Sequence, residues 1–360
     1  MERLGLVGLA NAGKSSLFNA LTGGHVPVAP HPFSTVETSV GVAPLPDARL
    51  DELATLSHSI KVVRASVEFV DIAGLVAGAS TGEGMGNRFL GGIREVNALV
   101  IVLRAFPDDA VAGVDDPLES LETLELELVL ADVASLETQS EKKRKQARLK
   151  HDPSLVEEAD AIDAAMAVLE GGTPLFRSSL EAPVRDRLAN SFLLTNKPVL
   201  AVVNVGEDQL DAVDDLVKPV ATHLGAGTEA IAVCVQLEAE AAQLEPAERT
   251  ELLDGLGLGQ GVVPRVARAA FDMLGLRTFF TTGDKESRAW IFRAGALAPE
   301  CAGVIHSDLQ RGFIRAEVIH WDELLELGGW PEAKAAGRLR VEGKDYPVKD
   351  GDVLEIRFNV

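Results

Sequence analysis

Residues 8–16 read "GLANAGKSS", which fits G-x-x-x-x-G-K-[S/T] at each fixed position. By average residue usage, roughly one or two of a hundred chains this long would carry such a match by chance. Its surroundings therefore decide the reading. The apolar run "LGLVGL" (4–9) leads in, and the helical pattern "KSSLFNALTG" leads out. Strand, glycine turn and helix is the arrangement in which backbone N–H groups turn inward around a phosphate. The helix N-terminus adds partial positive charge. Asn11, Ala12, Gly13, Lys14, Ser15 and Ser16 then surround the phosphates. Lys14 reaches the β- and γ-phosphates, and the Ser15 hydroxyl binds Mg²⁺. A glycine turn ahead of a surface helix would require neither the lysine nor the serine.

Further along, "SVEFVDIAG" (66–74), "ALVIVLR" (98–104), "VLAVVN" (199–204) and "EAIAVCV" (229–235) are nearly continuous apolar runs. Strands of a parallel sheet covered on both faces have this composition. Helical patterns separate them, so the expected core is α/β, doubly wound and mostly parallel.

More than ninety residues separate the strands ending near Leu103 and beginning at Val199, where a crossover needs about a dozen. Leu121, Leu124, Leu128 and Leu136 follow helical spacing, and a second helical run after His151 stops at Gly171-Gly172. Two antiparallel helices inserted as an arm fit this segment; a pair of ordinary packed helices fits it as well. After Gly275, short alternating strands with turn residues between them indicate a small β-rich domain. The expected domains are 1–115 with 196–277 for the core, 116–195 for the arm and 278–360 for the C-terminal domain.

Asp71 ends a strand and opens D-I-A-G, with Gly74 free to turn its N–H toward a γ-phosphate. In "HPFSTVE", Thr35 supplies a second hydroxyl for the metal. In this order the pieces are those of a switch-type NTPase. Lys14, Asp71 and Gly74 are its candidate catalytic groups. Leu75 stands where related switches carry a water-orienting glutamine, and its side chain has no hydrogen-bonding group, so unaided hydrolysis should be slow. Asn11 suits a K⁺ ion beside the phosphates, or serves equally as a loop-stabilising amide.

The 360-residue chain carries a formal net charge of −21, which argues against a surface that coats nucleic acid throughout. One stretch reverses the sign: "KKRKQARLKH" (142–151) holds six cations and no acid. Two cysteines make neither a disulfide framework nor a zinc site, and point to a reducing cytoplasm. No apolar run reaches the eighteen or so residues of a membrane span, and the first residues do not read as a signal peptide. Nothing in the sequence sets the oligomeric state; a monomer is expected.

Together "GLANAGKSS", "HPFSTVE", "VDIAGLVAGASTGEGMGNRFLGGIRE", "NKPVLAVVNVGED", "LEAEAAQL" and the C-terminal third identify a resemblance over the whole chain. The chain resembles the YchF/Obg-like ATPases, a translation-factor-related branch of P-loop NTPases. The resemblance implies a nucleotide-binding core, a helical arm and a C-terminal TGS domain of the β-grasp type. It also implies cytoplasmic ATP hydrolysis, weaker use of GTP, and association with ribosomes. In that family N-x-x-E replaces N-K-x-D, here Asn204 to Glu207, and adenine is preferred. Adenine lacks the N1–H and N2 amine that a guanine-reading carboxylate accepts from. Val205 would lie near the adenine, and Asn204 would either donate to a purine N7 or brace the neighbouring loop.

The chain departs from the family at Ala10, Ala12 and Ser16, where Pro, Val and Thr are usual, and it has no histidine between His58 and His151. That puts a histidine-assisted mechanism in doubt and favours stimulation by a partner. The cations at 142–151 read as a foot on ribosomal RNA or as a solvated helix end; ribosome association favours the first. A GTPase of the same architecture, and a nucleotide-sensing protein with negligible turnover, are the alternative functions.

Overall fold

The computed structural model describes residues 2–24, 38–72, 85–107, 114–150, 152–256 and 261–359, without the side chains of 85–88, 246 and 250. In chain order the strands are β1 (Arg3–Val7), β2 (Ser39–Pro44), β3 (Lys61–Val63), β4 (Ser66–Asp71), β5 (Ala98–Arg104) and β6 (Val199–Asn204). They continue with β7 (Ala230–Val233), β8 (Leu276–Thr281), β9 (Glu286–Arg293), β10 (Phe313–His320), β11 (Arg340–Glu342) and β12 (Asp352–Phe358). The first five helices are α1 (Lys14–Thr22), α2 (Ala48–Leu56), α3 (Met85–Arg94), α4 (Pro117–Lys150) and α5 (Pro153–Glu170). Two compact units emerge: Met1–Ala43 with Glu68–Ala270, and Pro44–Val67 with Phe271–Val360.

The first unit is built on a sheet of order β2-β4-β1-β5-β6-β7. β4 with β1, β1 with β5, β5 with β6, and β6 with β7 all pair in parallel. Every residue of β5 and β6 is buried, as the apolar runs require of central strands covered on both faces. On one face Leu99, Ile101 and Leu103 pack with Phe89, Leu90 and Ile93 of α3 and with Leu121, Leu124 and Leu128 of α4. Each fully buried leucine contributes about 1.5–3 kcal/mol.

The arm divides along its length. The first half of α4 belongs to the core by those leucines. From Val129 onward it pairs with α5 through Val129, Leu136, Ile162, Ala165 and Leu169. Asp132, 1% exposed, pins the returning chain: it accepts from Leu194 N (2.9 Å), Thr195 N (2.8 Å) and Thr195 Oγ1 (2.7 Å).

The second unit has a sheet of order β11-β10-β12-β8-β9-β3. β10 runs antiparallel to β11 and β12, β8 antiparallel to β9, and β12 parallel to β8. The helix Ala298–Ile305 buries Ala298, Cys301 and Ala302 against Phe279, Phe292, Val318 and Leu354. Residues 44–67 lie within this unit, although their sequence position suggested the nucleotide-binding core. β3 adds to β9 in parallel, and Arg49 at the start of α2 binds Asp47 and Asp350 while covering the Phe280 ring. A three-residue strand and a short helix carry too little periodicity to announce that assignment.

Candidate functional site

β1 is buried from Leu4 to Val7 and delivers the chain to the loop 8–13, after which α1 begins at Lys14. Close neighbours, one backbone and one side chain, explain two of the loop's small residues. A Cβ on Gly8 would stand 2.3 Å from the Val102 carbonyl oxygen, and one on Gly13 would stand 2.3 Å from Asn204 Nδ2. Gly13 also has a φ of +94°, where side chains are disfavoured. Asn11 adopts φ 63°, a conformation asparagine tolerates better than most residues.

Lys14 is buried, and its ammonium donates to the Leu9 carbonyl at 2.9 Å. Burial lowers its pKa to about 8, with the Asp71 charge opposing that shift. The Ser15 hydroxyl donates to Asp71 Oδ2 at 2.6 Å. Asp71 is fully buried at the end of β4, and its Oδ1 has no hydrogen-bond partner among the described residues. Burial pushes the Asp71 carboxyl upward, against the Ser15 hydrogen bond and the Lys14 charge. A buried carboxylate oxygen without a partner, beside a hydroxyl, is a hard-oxygen pair suited to a divalent cation or its water shell. The residues present thus fit Mg²⁺. Among the described residues no group of three His, Cys, Asp or Glu could hold a metal by itself, so phosphate or water oxygens would complete the shell.

Asn204, at the end of β6, is turned toward the chain. Its Nδ2 donates to the Ala12 carbonyl at 3.1 Å, and its Oδ1 accepts from Val235 N at 3.2 Å. Both polar atoms of its amide thus contact backbone groups of the chain. Val205 is 2% exposed and packs into the core cluster, while Glu207 is exposed at the start of the 3-10 turn Glu207–Ala212. Ala12 is buried and Ser16 half-buried in the first turn of α1. Thr35, Gly74 and Leu75 lie outside the described residues.

The structure adds Gln209, which sequence reasoning passed over. It donates to Ala105 O at 2.8 Å and accepts from Gly206 N at 2.9 Å, tying the loop after β6 to the one after β5. A glutamine three residues after a glycine was the available signal, as a helix-start pattern.

The basic stretch also changes character. Lys143 pairs with Glu158 at 2.6 Å, and Arg144 pairs with Asp160 at 2.8 Å and with Asp163. Lys142, Lys145, Arg148 and Lys150 are exposed and have no ion-pair partner among the described residues. Among those residues no helix is long and apolar enough to cross a membrane.

Comparison with known proteins places the chain among relatives along its whole length. Residues 3–126 match a family model described as "50S ribosome-binding GTPase". Residues 276–359 match YchF-GTPase_C, described as "Protein of unknown function (DUF933)". The "Ribosome-binding ATPase YchF" of Bacillus subtilis (strain 168) is 42% identical, with 99% of each chain covered. Its namesake from Escherichia coli O157:H7 is 41% identical, again over 99% of each. A solved structure, "Structure of the Schizosaccharomyces pombe YchF GTPase", superposes with a TM-score of 0.85 at 30% identity, covering 99% of this chain and 97% of that one.

Proposed function

The chain belongs to the YchF family, and from that premise we propose that it is a ribosome-associated, Mg²⁺-dependent ATPase of the cytoplasm. It acts as a nucleotide-controlled switch that prefers ATP to GTP and hydrolyses it slowly without a partner. The observation that carries this reading is the Ser15–Asp71 hydrogen bond, with Asp71 Oδ1 unpartnered among the described residues, set beside Lys14 at the opening of α1.

Lys14 is protonated at neutral pH and exchanges the Leu9 carbonyl for β- and γ-phosphate oxygens. Backbone N–H groups of 11–16 complete the cradle. Ser15 and Asp71, with Thr35, hold Mg²⁺, which when bound neutralises charge on the phosphate oxygens. Gly74 offers its N–H to the γ-phosphate. Slow intrinsic turnover follows from Leu75, whose side chain cannot orient water. ATP preference is supported by Val205 in place of the lysine that covers guanine, by Glu207 in place of its acidic reader, and by the word ATPase in the bacterial relatives' names.

A GTPase of the same architecture is the competing reading, favoured by the description of the fission-yeast structure. Competitive binding of ATP and GTP to the purified chain, with Mg²⁺ and with EDTA, decides between them. Tighter GTP binding would overturn the preference, and equal affinity in EDTA would overturn the metal's role. Single-turnover hydrolysis with and without ribosomes separates a switch, which accelerates, from a nucleotide sensor, which does not.

A further inference from the structure

Leu194, Thr195, Asn196 and Lys197 precede β6, and each is fastened to another element. Leu194 N and Thr195 N donate to Asp132 of α4. Asn196 and Arg185 hold each other: Arg185 Nε donates to Asn196 Oδ1 at 2.9 Å, and Asn196 Nδ2 donates to Arg185 O at 3.0 Å. That pair ties the segment to the helix Ala182–Arg187. Lys197 Nζ donates to Arg94 O at 3.3 Å and to Val96 O. α3 ends at Arg94, where helix carbonyls lack intrahelical partners and favour a cation. Burial lowers the Lys197 pKa, and the Asp132 charge opposes that shift.

At its other side α3 meets the strand that carries the metal-site acid. Ile72 follows Asp71 and lies in one packed cluster with Phe89, Leu90, Ile93 and Val96. A Cβ on Gly92 would stand 3.3 Å from Ile72 Cγ2, so the helix backbone rests close on that side chain. Dense interiors transmit displacement rather than absorb it. Contacts therefore run without a gap from the phosphate site to the arm. Ser15 meets Asp71, Ile72 meets α3, the Arg94 and Val96 carbonyls meet Lys197, and Leu194 and Thr195 meet Asp132. Lysine suits the middle of this chain, because a point charge on a flexible stem can follow a carbonyl that moves. Asp132, with three donors, holds the far end.

We propose that Lys197 couples the phosphate site to the arm. When the Ser15–Asp71 pair opens to take Mg²⁺ and nucleotide, Ile72 and the last turn of α3 shift. Lys197 carries that shift into residues 194–197, and Asp132 passes it to α4. Coupling of this kind is reciprocal, so a partner that favours one position of α4 also favours one arrangement of Ser15 and Asp71. This rests on the reading of the chain as a ribosome-associated switch, and it adds how the two ends of that switch communicate.

The test compares the native chain with Lys197→Met, which keeps the stem and removes the donor, and Lys197→Arg, which keeps charge and donors. Hydrogen exchange of the Leu194 and Thr195 amides is read without nucleotide and with ATPγS and Mg²⁺. The expected result is a change in their protection on nucleotide binding in the native chain and in Lys197→Arg, and none in Lys197→Met. Single-turnover hydrolysis should show stimulation by ribosomes lowered roughly fivefold or more in Lys197→Met and restored in Lys197→Arg. Protection in the native chain that ignores nucleotide overturns the proposal, and that measurement needs no variant. A Lys197→Met chain that responds to nucleotide or to ribosomes as the native chain does also overturns it. If ribosomes fail to stimulate the native chain while Leu194 and Thr195 respond to nucleotide, the ribosome reading falls and the coupling stands.

Discussion

The Ser15 hydroxyl and the Asp71 carboxylate meet at 2.6 Å across 56 residues of chain. Parallel pairing of β1 with β4 sets Leu6 opposite Asp71, so both strands end at the same level and the phosphate loop begins where the acid stands. Because burial raises the Asp71 pKa, its charge is costly before a cation arrives. Asp71→Asn should therefore raise the thermal midpoint of the nucleotide-free chain while lowering Mg²⁺-dependent hydrolysis by about 10²-fold. Calorimetric melting and a phosphate-release assay on the same preparation test both halves. A variant that is less stable, or equally active, contradicts this account of the site.

Lys14 gives the site a pH dependence of definite sign. With a folded pKa of about 8 against 10.5, the unfolded chain binds more protons between those values. The lysine's contribution to the stability of the nucleotide-free protein therefore rises with pH across that window. Triphosphate binding favours the charged ammonium, so binding above pH 8 takes up a proton. Nucleotide affinity should be flat from pH 7 to 8 and fall by up to about tenfold per unit above it. Titration calorimetry in buffers of different ionisation enthalpy reads that uptake directly; an affinity flat to pH 9.5 contradicts it.

Asn204 joins the phosphate loop to the first residue of the helix Val235–Ala241. Asn204→Ala leaves the Ala12 carbonyl and the Val235 N–H without that partner, a loss of about 1–3 kcal/mol. ATP and GTP affinities should fall together, by roughly tenfold, with their ratio preserved. A changed ratio would show that this amide reads the base.

On the arm, two sets of charge reversals should behave differently. Lys142, Lys145, Arg148 and Lys150 to Glu should abolish ribosome co-sedimentation and leave the thermal midpoint nearly unchanged, because surface substitutions of unpaired groups stay within about 0.5 kcal/mol. Lys143 and Arg144 to Glu face Glu158, Asp160 and Asp163 across the hairpin, so they should lower stability of the arm. Limited proteolysis together with sedimentation distinguishes the two; matching behaviour of both sets would count against the division.

Asp132 is the buried pin of the arm's return. Asp132→Ala removes the acceptor from two backbone N–H groups and the Thr195 hydroxyl. The expected cost is about 3 kcal/mol or more, read as a shift in the urea midpoint with nucleotide affinity retained in the folded fraction.

Much of the core was legible before any coordinates. β5 and β6 are apolar throughout because both faces are covered, and the phosphate loop is legible because a glycine turn of that kind needs the same few residues in one short run. Segment 44–67 was not legible as part of the C-terminal unit: β3 has three residues, and its place depends on pairing with β9, more than two hundred residues away. The arm's cations were legible as a cluster, but their division into paired and unpaired was not, since the acids that neutralise Lys143 and Arg144 sit on the following helix.

What the sequence determined by itself was local in range: the phosphate turn, the buried strands, the long helices and the family they mark. Tertiary structure decided which distant groups meet: Ser15 with Asp71, Asn204 with Ala12 and Val235, and Asp132 with the returning chain. The physical reason is that backbone propensity and hydrophobic period act over a few residues, whereas hydrogen bonds and ion pairs depend on where folded strands and helices bring atoms within about 3 Å.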